Sequence, residues 1–542
     1  MNKKALTVSI AALMAVTIAS GCTKQEETAS PPSDGKQPAG AGTTAGKYDK
    51  PLTINISRPI TEASTLKDDL EAKMLKEKFN LVFKAEDYPR NDWPIKSTLL
   101  FATGEGPEYL PMVRDQWKSL EWMASGYLRP FEKDELATKL SNYRKIWTDE
   151  EWDAIYKINQ YSDGKLYYLP GKRTLKVNQA WQYRKDLFDK YGLKFPTTPD
   201  EMYTALKTIK DKTGLIPVVT NGNASSPLWG VNLFFQVFGL PDLALNWTSY
   251  VDPATKEFVA YPFADDRYRD FLIFLNKMYK EGLLLRDFAT ATADQTKKLI
   301  AQGNNVIAFT TSDPTYNNNL QKAAVPDVNW AWTDNYEFPS KDPKKVIYKR
   351  EPLYSNWGPA IKKGTSQEKV DRILDYLNWS LSDEGQLWYT FGKEGVTYEM
   401  KNGSPVYLPN MSNPSKAEGD KLPNYGISIG WIGSGFVTTH KALDETYSKT
   451  KLDMADVIMK KPNYYGHIEP ALQFTEAERQ KLVDLETNLN AVRDEYWLKL
   501  IMGSLDPSND GDWKKFMDAA NKAGLQEVVK LRTEAYKKAN KG

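Results

Sequence analysis

The chain is short of the residues that most active-site chemistry uses. Of its 542 residues one is cysteine, Cys22, and two are histidine, His440 and His467. A histidine-built zinc site, a Ser-His-Asp triad and a Cys-His pair therefore all lack parts. There is no second thiol for a disulfide. Excess charge is also missing: 72 Lys+Arg face 70 Asp+Glu, and the two totals balance once Lys3 and Lys4 are set aside. A bulk nucleic-acid binder carries a basic stripe, so no nucleic-acid partner is expected. Beyond the N-terminal segment no run is long and apolar enough to span a bilayer as a helix.

The lone cysteine stands in a telling place. Lys3 and Lys4 form a basic head, and Ala5 to Ala19 is an uncharged, mostly apolar run followed by Ser20-Gly21 and Cys22. That is the layout of a secretory signal. The stretch "IASGCTKQ" resembles a bacterial lipobox, with Ala19 where leucine is commonest. Residues 1–21 are read as a lipoprotein signal peptide, and Cys22 as the lipidated N-terminus of the mature chain. Two acyl chains on one diacylglyceryl thioether give stable anchoring where a single chain does not. Residues 22–50 are rich in Ser, Pro, Gly, Thr and Ala and nearly free of aliphatic side chains, so they form a tether that buries too little to fold. As a flexible coil it reaches roughly 30 Å, at about 5–6 Å times the square root of its length.

The body from about Pro51 exceeds one ordinary core, and two or more lobes are expected. "PLTINISRP" alternates Leu52, Ile54 and Ile56 with polar residues and predicts a strand. "LKDDLEAKMLKEKFN" sets Leu70, Met74, Leu75 and Phe79 on one helical face, and "LVFKAEDY" predicts a second strand, which makes a βαβ unit and a parallel sheet. An Asp-Gly turn and a short strand are predicted in "YSDGKLYYLPG". "TTPDEMYTALKTIKDKTG" predicts a helix capped by Thr198, with Pro199 at its first position, Glu201 closing a capping box and Gly214 ending it. "LIPVV" and "NNVIAFTT" read as strands, the latter leaving a helix near 294–301. "SQEKVDRILDYLNWSLSDEGQLWYTFG" holds two helices, and Thr475 with Glu478 caps a long C-terminal one.

Several of these stretches, together with "GKLYYLPG", "SNWGPAIKKG", "EGVTYE" and "YWLKLIMGSLDPSNDGDWKKFMDAANKAGL", resemble the extracellular solute-binding proteins, family 1. The likeness is greatest to the large lipoprotein branch of Gram-positive bacteria that live on polysaccharides. The resemblance implies a two-lobe, type II periplasmic-binding-protein-like α/β fold, with a sugar or oligosaccharide held in the cleft. It also implies delivery to the permease of an ABC importer, and no catalysis. Lobe crossings are expected near 176–179, 302–305 and 356–359. They divide the body into a first lobe of 51–176 with 303–357 and a second of 177–302 with 358–542. The expected protein is a monomer on the extracellular face of the cell membrane, with no cofactor. A lipid-anchored hydrolase or lyase and a sugar-sensing partner of a membrane kinase are the alternatives.

Aromatic residues make up 12% of the chain, with 16 tryptophans. Sugars bind through flat aromatic faces, which meet the C–H faces of the ring, and through amides, carboxylates and guanidinium groups, which meet the hydroxyls. Trp93 beside Asp92, Trp229 with Asn232, Trp357 beside Gly358, and Trp431 among glycines are the candidate platforms. Asp115 and Trp117 in "VRDQWKS" join them, and so does Arg184, for which an ion pair with Asp186 or Asp189 is the competing role. "DPSNDGDWKKFMD" places Asp506, Ser508, Asp510 and Gly511 at calcium-loop positions, but Met517 occupies the place of the closing glutamate. No metal site is expected.

Overall fold

The computed structural model describes residues 48–60, 70–89, 92–114, 122–123, 125–161, 163–172, 180–222, 227–240, 250–251, 258–259, 263, 266–310, 314–333, 354–355, 357–408, 450, 453–454, 456–457, 472 and 474–539. The signal segment, residues 22–47 of the expected tether with Cys22, and Asp115, Trp117 and Trp431 lie outside them, as does the expected crossing at 176–179. Tyr48, near the end of the expected tether, is half-buried against the first core and donates to Asp375 Oδ2 at 2.6 Å. Among the described residues no helix is long and apolar enough to cross a membrane.

The longer strands are β1 (Leu52–Ile60), β2 (Leu81–Pro89), β3 (Tyr109–Arg114), β4 (Ala180–Arg184), β5 (Ile307–Thr310), β6 (Trp330–Thr333) and β7 (Trp357–Ile361). They make two sheets, ordered β7-β3-β1-β2 and β5-β4-β6. In the first, β1 runs parallel to β2 and β3 while β7 is antiparallel to β3. Helix α1 (Leu70–Phe79) joins β1 to β2 and buries Leu70, Met74, Leu75 and Phe79, the four residues its periodicity marks. Asn80, at φ 46°, ends it in the left-handed region that asparagine tolerates. The βαβ unit is thus as the sequence predicts. The second sheet is not parallel: β4 pairs antiparallel with both neighbours.

Each sheet has its own core. Ile54, Ile56, Tyr109, Phe131, Tyr143, Trp152 and Leu169 share the first with Ile373, Leu374 and Leu377. Those last three lie on α5 (Gln367–Ser380), which precedes α6 (Asp383–Phe391). Trp181, Phe234, Tyr268, Phe271 and Ile307 share the second with Leu482, Trp497 and Phe516. Phe516 lies on α8 (Asp510–Lys522), and the other two on α7 (Glu476–Met502).

These memberships correct the expected division. Residues 307–310, assigned to the first lobe, pair with β4 in the second sheet. Residues 357–391, assigned mostly to the second, complete the first sheet and its core. Residues 302–305 are no crossing: Asn305 N–H and Val306 N–H donate to the carbonyls of Ile216 and Pro217 within the second core. The misassignment arose because a strand's sequence fixes its burial but not its partner.

Local expectations fared unevenly. Helix α3 (Pro199–Thr213) is capped by Thr198, whose side chain accepts from Glu201 N–H, and Gly214 ends it at φ 74°. Glu201 instead accepts from the Thr197 N–H and hydroxyl, both at 2.8 Å, so the reciprocal bond falls one residue early. The box of Thr475 and Glu478 on α7 is complete. "LIPVV" makes only a bridge, Val218 to Leu284, and "GKLYYLPG" only a bridge, Leu166 to Phe131, beside Gly171–Lys172. The last pair hydrogen-bonds antiparallel to Tyr354–Ser355.

Candidate functional site

The strand ends carry the first group of candidate residues. β1 and β3 run parallel, so their C-terminal ends share one edge of the first sheet, where open α/β sheets bind ligands. β7 begins there: Trp357 stands in register with Arg114, the last residue of β3, which leads directly into Asp115. The pairing thus brings the start of β7 beside the end of β3, far away in sequence. Gly358 fixes the approach. A Cβ there would lie 1.7 Å from the Leu169 carbonyl oxygen, so only glycine lets β7 run this close.

Trp229 and Asn232 open a 3₁₀ helix, Trp229–Phe238, on the second core. Its inner side is Val231, Phe234 and Phe235, all buried, and Leu228 just before it is buried too. Trp229 itself is 40% exposed, and Asn232 is half-buried. Gly230 presses on Thr220 and Asn221, so that a Cβ would come 1.9 Å from Thr220 Oγ1. That close seat holds the exposed indole at the start of the helix.

Two candidates have structural duties. Trp93 is not in a loop. It is the first residue of α2 (Trp93–Ala102), it is fully buried, and its ring meets Trp122 edge-on at 5.4 Å. Arg184 is 2% exposed. It donates to both Asp186 oxygens at 2.8 and 2.6 Å, to the Gly303 carbonyl at 3.2 Å and to Gln321 Oε1 at 3.1 Å. The competing ion-pair role is the one it fills.

Around Arg184 lies a polar seam that the sequence did not announce. It joins the second sheet to α4 (Pro314–Gln321). Asn317 Nδ2 donates to Gln182 Oε1 at 3.0 Å, and Trp330 Nε1 donates to Gln321 Oε1 at 3.0 Å. Nothing in "YNNNLQ" marks its amides as buried. Only the strand pairing reveals that they cover buried polar atoms, which need such partners.

The acidic loop before α8 has a resident cation of its own. Arg269 donates to the carbonyls of Pro507 and Ser508 at 2.9 and 3.1 Å and to Asp510 Oδ1 at 2.6 Å. Asp506 and Asn509 are turned to backbone N–H groups of Ser508 and Asp512. The donor set suits a helix cap and a guanidinium rather than calcium. Among the described residues no cluster of three or more His, Cys, Asp or Glu is placed to hold a metal.

The parallel strand ends of the first sheet and the exposed indole of Trp229 are thus carried by separate cores. No protein-family model matches the chain. It is similar to lipoprotein LipO of Bacillus subtilis, 23% identical over 448 residues that cover 79% of this chain and 80% of LipO. The polygalacturonan/rhamnogalacturonan-binding protein YtcQ of the same organism is 20% identical over 414 residues, 74% of this chain and 76% of YtcQ. Among solved structures, alginate-binding protein AlgQ2 superposes with a TM-score of 0.71 at 20% identity, over 90% of this chain and 98% of AlgQ2. The solute-binding-protein fold is therefore this chain's fold. YtcQ and AlgQ2 are both named as binding proteins.

Proposed function

We propose that the protein captures a sugar or oligosaccharide between two lobes and delivers it to the permease of an ABC importer, held at the outer face of the membrane by lipid on Cys22. The lobes comprise about residues 48–172 with 354–408, and 180–333 with 474–539. The observation that carries this reading is the pair of separate cores, each built from discontinuous stretches of chain, so that the connecting segments can act as a hinge. Trp357 and the end of β3 offer one wall of the site, and Trp229 with Asn232 the other. YtcQ and AlgQ2 are named for polymeric sugars, which supports an oligosaccharide over a small solute.

Capture follows from population shift. A sugar that touches both lobes only in the closed form favours that form by the difference in contact energy. Flat indoles supply part of the difference through apolar burial, at about 25 cal/mol per Å². A thermal-shift screen against plant, algal and glycan oligosaccharides tests the reading. A ligand at 100 times its Kd adds about 2.7 kcal/mol of stability. New reducing ends in the same mixtures would instead mark an enzyme. A screen in which no oligosaccharide raises the unfolding temperature while an unrelated solute does would overturn the sugar assignment.

A further inference from the structure

We infer that Tyr161 and Arg479 form a latch between the two lobes, which rests on the two-lobe reading above. Tyr161 belongs to the first lobe. It follows the helix Asp149–Asn159, its carbonyl accepts from Gly164 N–H at 2.9 Å, and its ring stands edge-on to Tyr167 at 5.8 Å. Arg479 belongs to the second. It sits four residues beyond the cap of α7, the helix whose Leu482, Leu489 and Trp497 enter the second core.

The two side chains meet twice. The guanidinium lies over the Tyr161 ring, 4.3 Å from its centroid, and Arg479 Nη1–H donates to the Tyr161 hydroxyl. Nη2–H donates to the Phe474 carbonyl at 3.3 Å, where the chain enters the cap of α7. Arg479 is only 9% exposed, and cation–π contacts gain strength when desolvated. One arginine thus ties the start of α7 to a tyrosine packed against the Leu110, Val113 and Ala360 cluster of the first sheet.

A contact of this kind differs from core packing. It exists only in arrangements that bring the two bodies together, so it biases their equilibrium toward those arrangements without contributing to either core. Taking the arrangement in which they meet as the closed form, Tyr161 and Arg479 favour it before any sugar arrives, and the apparent affinity rises with the fraction already competent to bind.

The test needs no sugar, so its outcome is independent of whether the oligosaccharide assignment holds. In the full chain carrying Cys22→Ser, the exposed Lys145 and Lys522 are replaced by cysteine, one on each lobe, and labelled for distance measurement. Tyr161→Phe keeps the ring and removes the hydroxyl; Arg479→Gln removes the cation. Each is expected to move the ligand-free distance distribution toward longer separations, with a change of roughly 5–30-fold in the closed-to-open ratio for Arg479→Gln, the factor that corresponds to a contact of this class. Tyr161→Phe should change the ratio less. The double variant should resemble Arg479→Gln alone, because both remove one coupled contact. An unchanged distribution in both single variants, a shift toward shorter distances, or fully additive shifts would overturn the latch. Should Arg479→Gln fold poorly, an unchanged distribution in Tyr161→Phe together with Arg479→Lys overturns it equally.

Discussion

Arg184 grips Asp186 with two parallel hydrogen bonds, Nε to Oδ1 at 2.8 Å and Nη2 to Oδ2 at 2.6 Å, while its third nitrogen holds Gly303 and Gln321. Four of the five guanidinium N–H groups are thus engaged within the protein, which sets Arg184 to hold its own fold rather than a sugar. Arg184→Ala is expected to cost about 3–5 kcal/mol of stability, because Asp186 and the Gln321 amide lose their buried partner. Urea unfolding measures the loss. Sugar affinity per folded molecule should be unchanged; a variant that keeps its stability and loses binding would return Arg184 to the ligand.

The tryptophans separate by the same two measurements. Trp93→Ala should cost about 3–5 kcal/mol of folding stability, the usual penalty for truncating a buried ring. Trp229→Ala removes a 40% exposed indole and should leave unfolding nearly unchanged. It should instead weaken calorimetric affinity for a ligand from the screen by more than about tenfold, or about 1.4 kcal/mol. The same is expected of Trp431→Ala. If Trp229→Ala unfolds early and binds normally, the indole is packing and not a platform.

Alkaline pH should destabilise the first lobe. Burial, and then the charge of Glu71, push the hydroxyls of Tyr109, Tyr376 and Tyr389 well above the ordinary phenol range. Tyr389 O–H donates to Glu71 Oε1 at 2.9 Å, and its oxygen lies 2.5 Å from that of Tyr376. Folded-state values raised above the unfolded ones mean stability that is complete below about pH 10 and lost as pH rises beyond it. Phenolate absorbance should show these groups ionising only together with unfolding. Tyr389→Phe should make the alkaline loss shallower; early, independent ionisation of all the phenols would contradict the burial argument.

Cys22→Ala should release the protein from the membrane fraction or leave it unprocessed, because both acyl chains attach at that sulfur. Fractionation and mass spectrometry of the mature chain read the result. A variant that remains membrane-bound at mature size would end the lipoprotein reading.

Much of the fold was legible because it is written in local signals. The stripe of α1, the caps at Thr198 and Thr475, and the alternation in β1 each depend on neighbours within a few residues. What stayed hidden depends on partners far away. β5 reads as a buried strand on either sheet, and only its pairing with β4 assigns it. Trp93 has the neighbours of a loop tryptophan, Asn91, Asp92 and Pro94, yet Asp92-Trp-Pro is equally a helix start, and Trp122 supplies the burial. The Gln182–Asn317 bond spans 135 residues, and nothing in "YNNNLQ" points to it.

The interleaving of the two cores sets the order in which each can be completed as the chain emerges. The first sheet lacks β7 and its helical cover until residues 357–391 have emerged, and the second core lacks α7 and α8 until the final stretch has followed. A chain threaded N-terminus first through a translocase therefore has no finished core to jam the channel for most of its passage. On the proposed lipoprotein reading, Cys22 would meet the acylating enzyme long before either half could close around its own missing pieces.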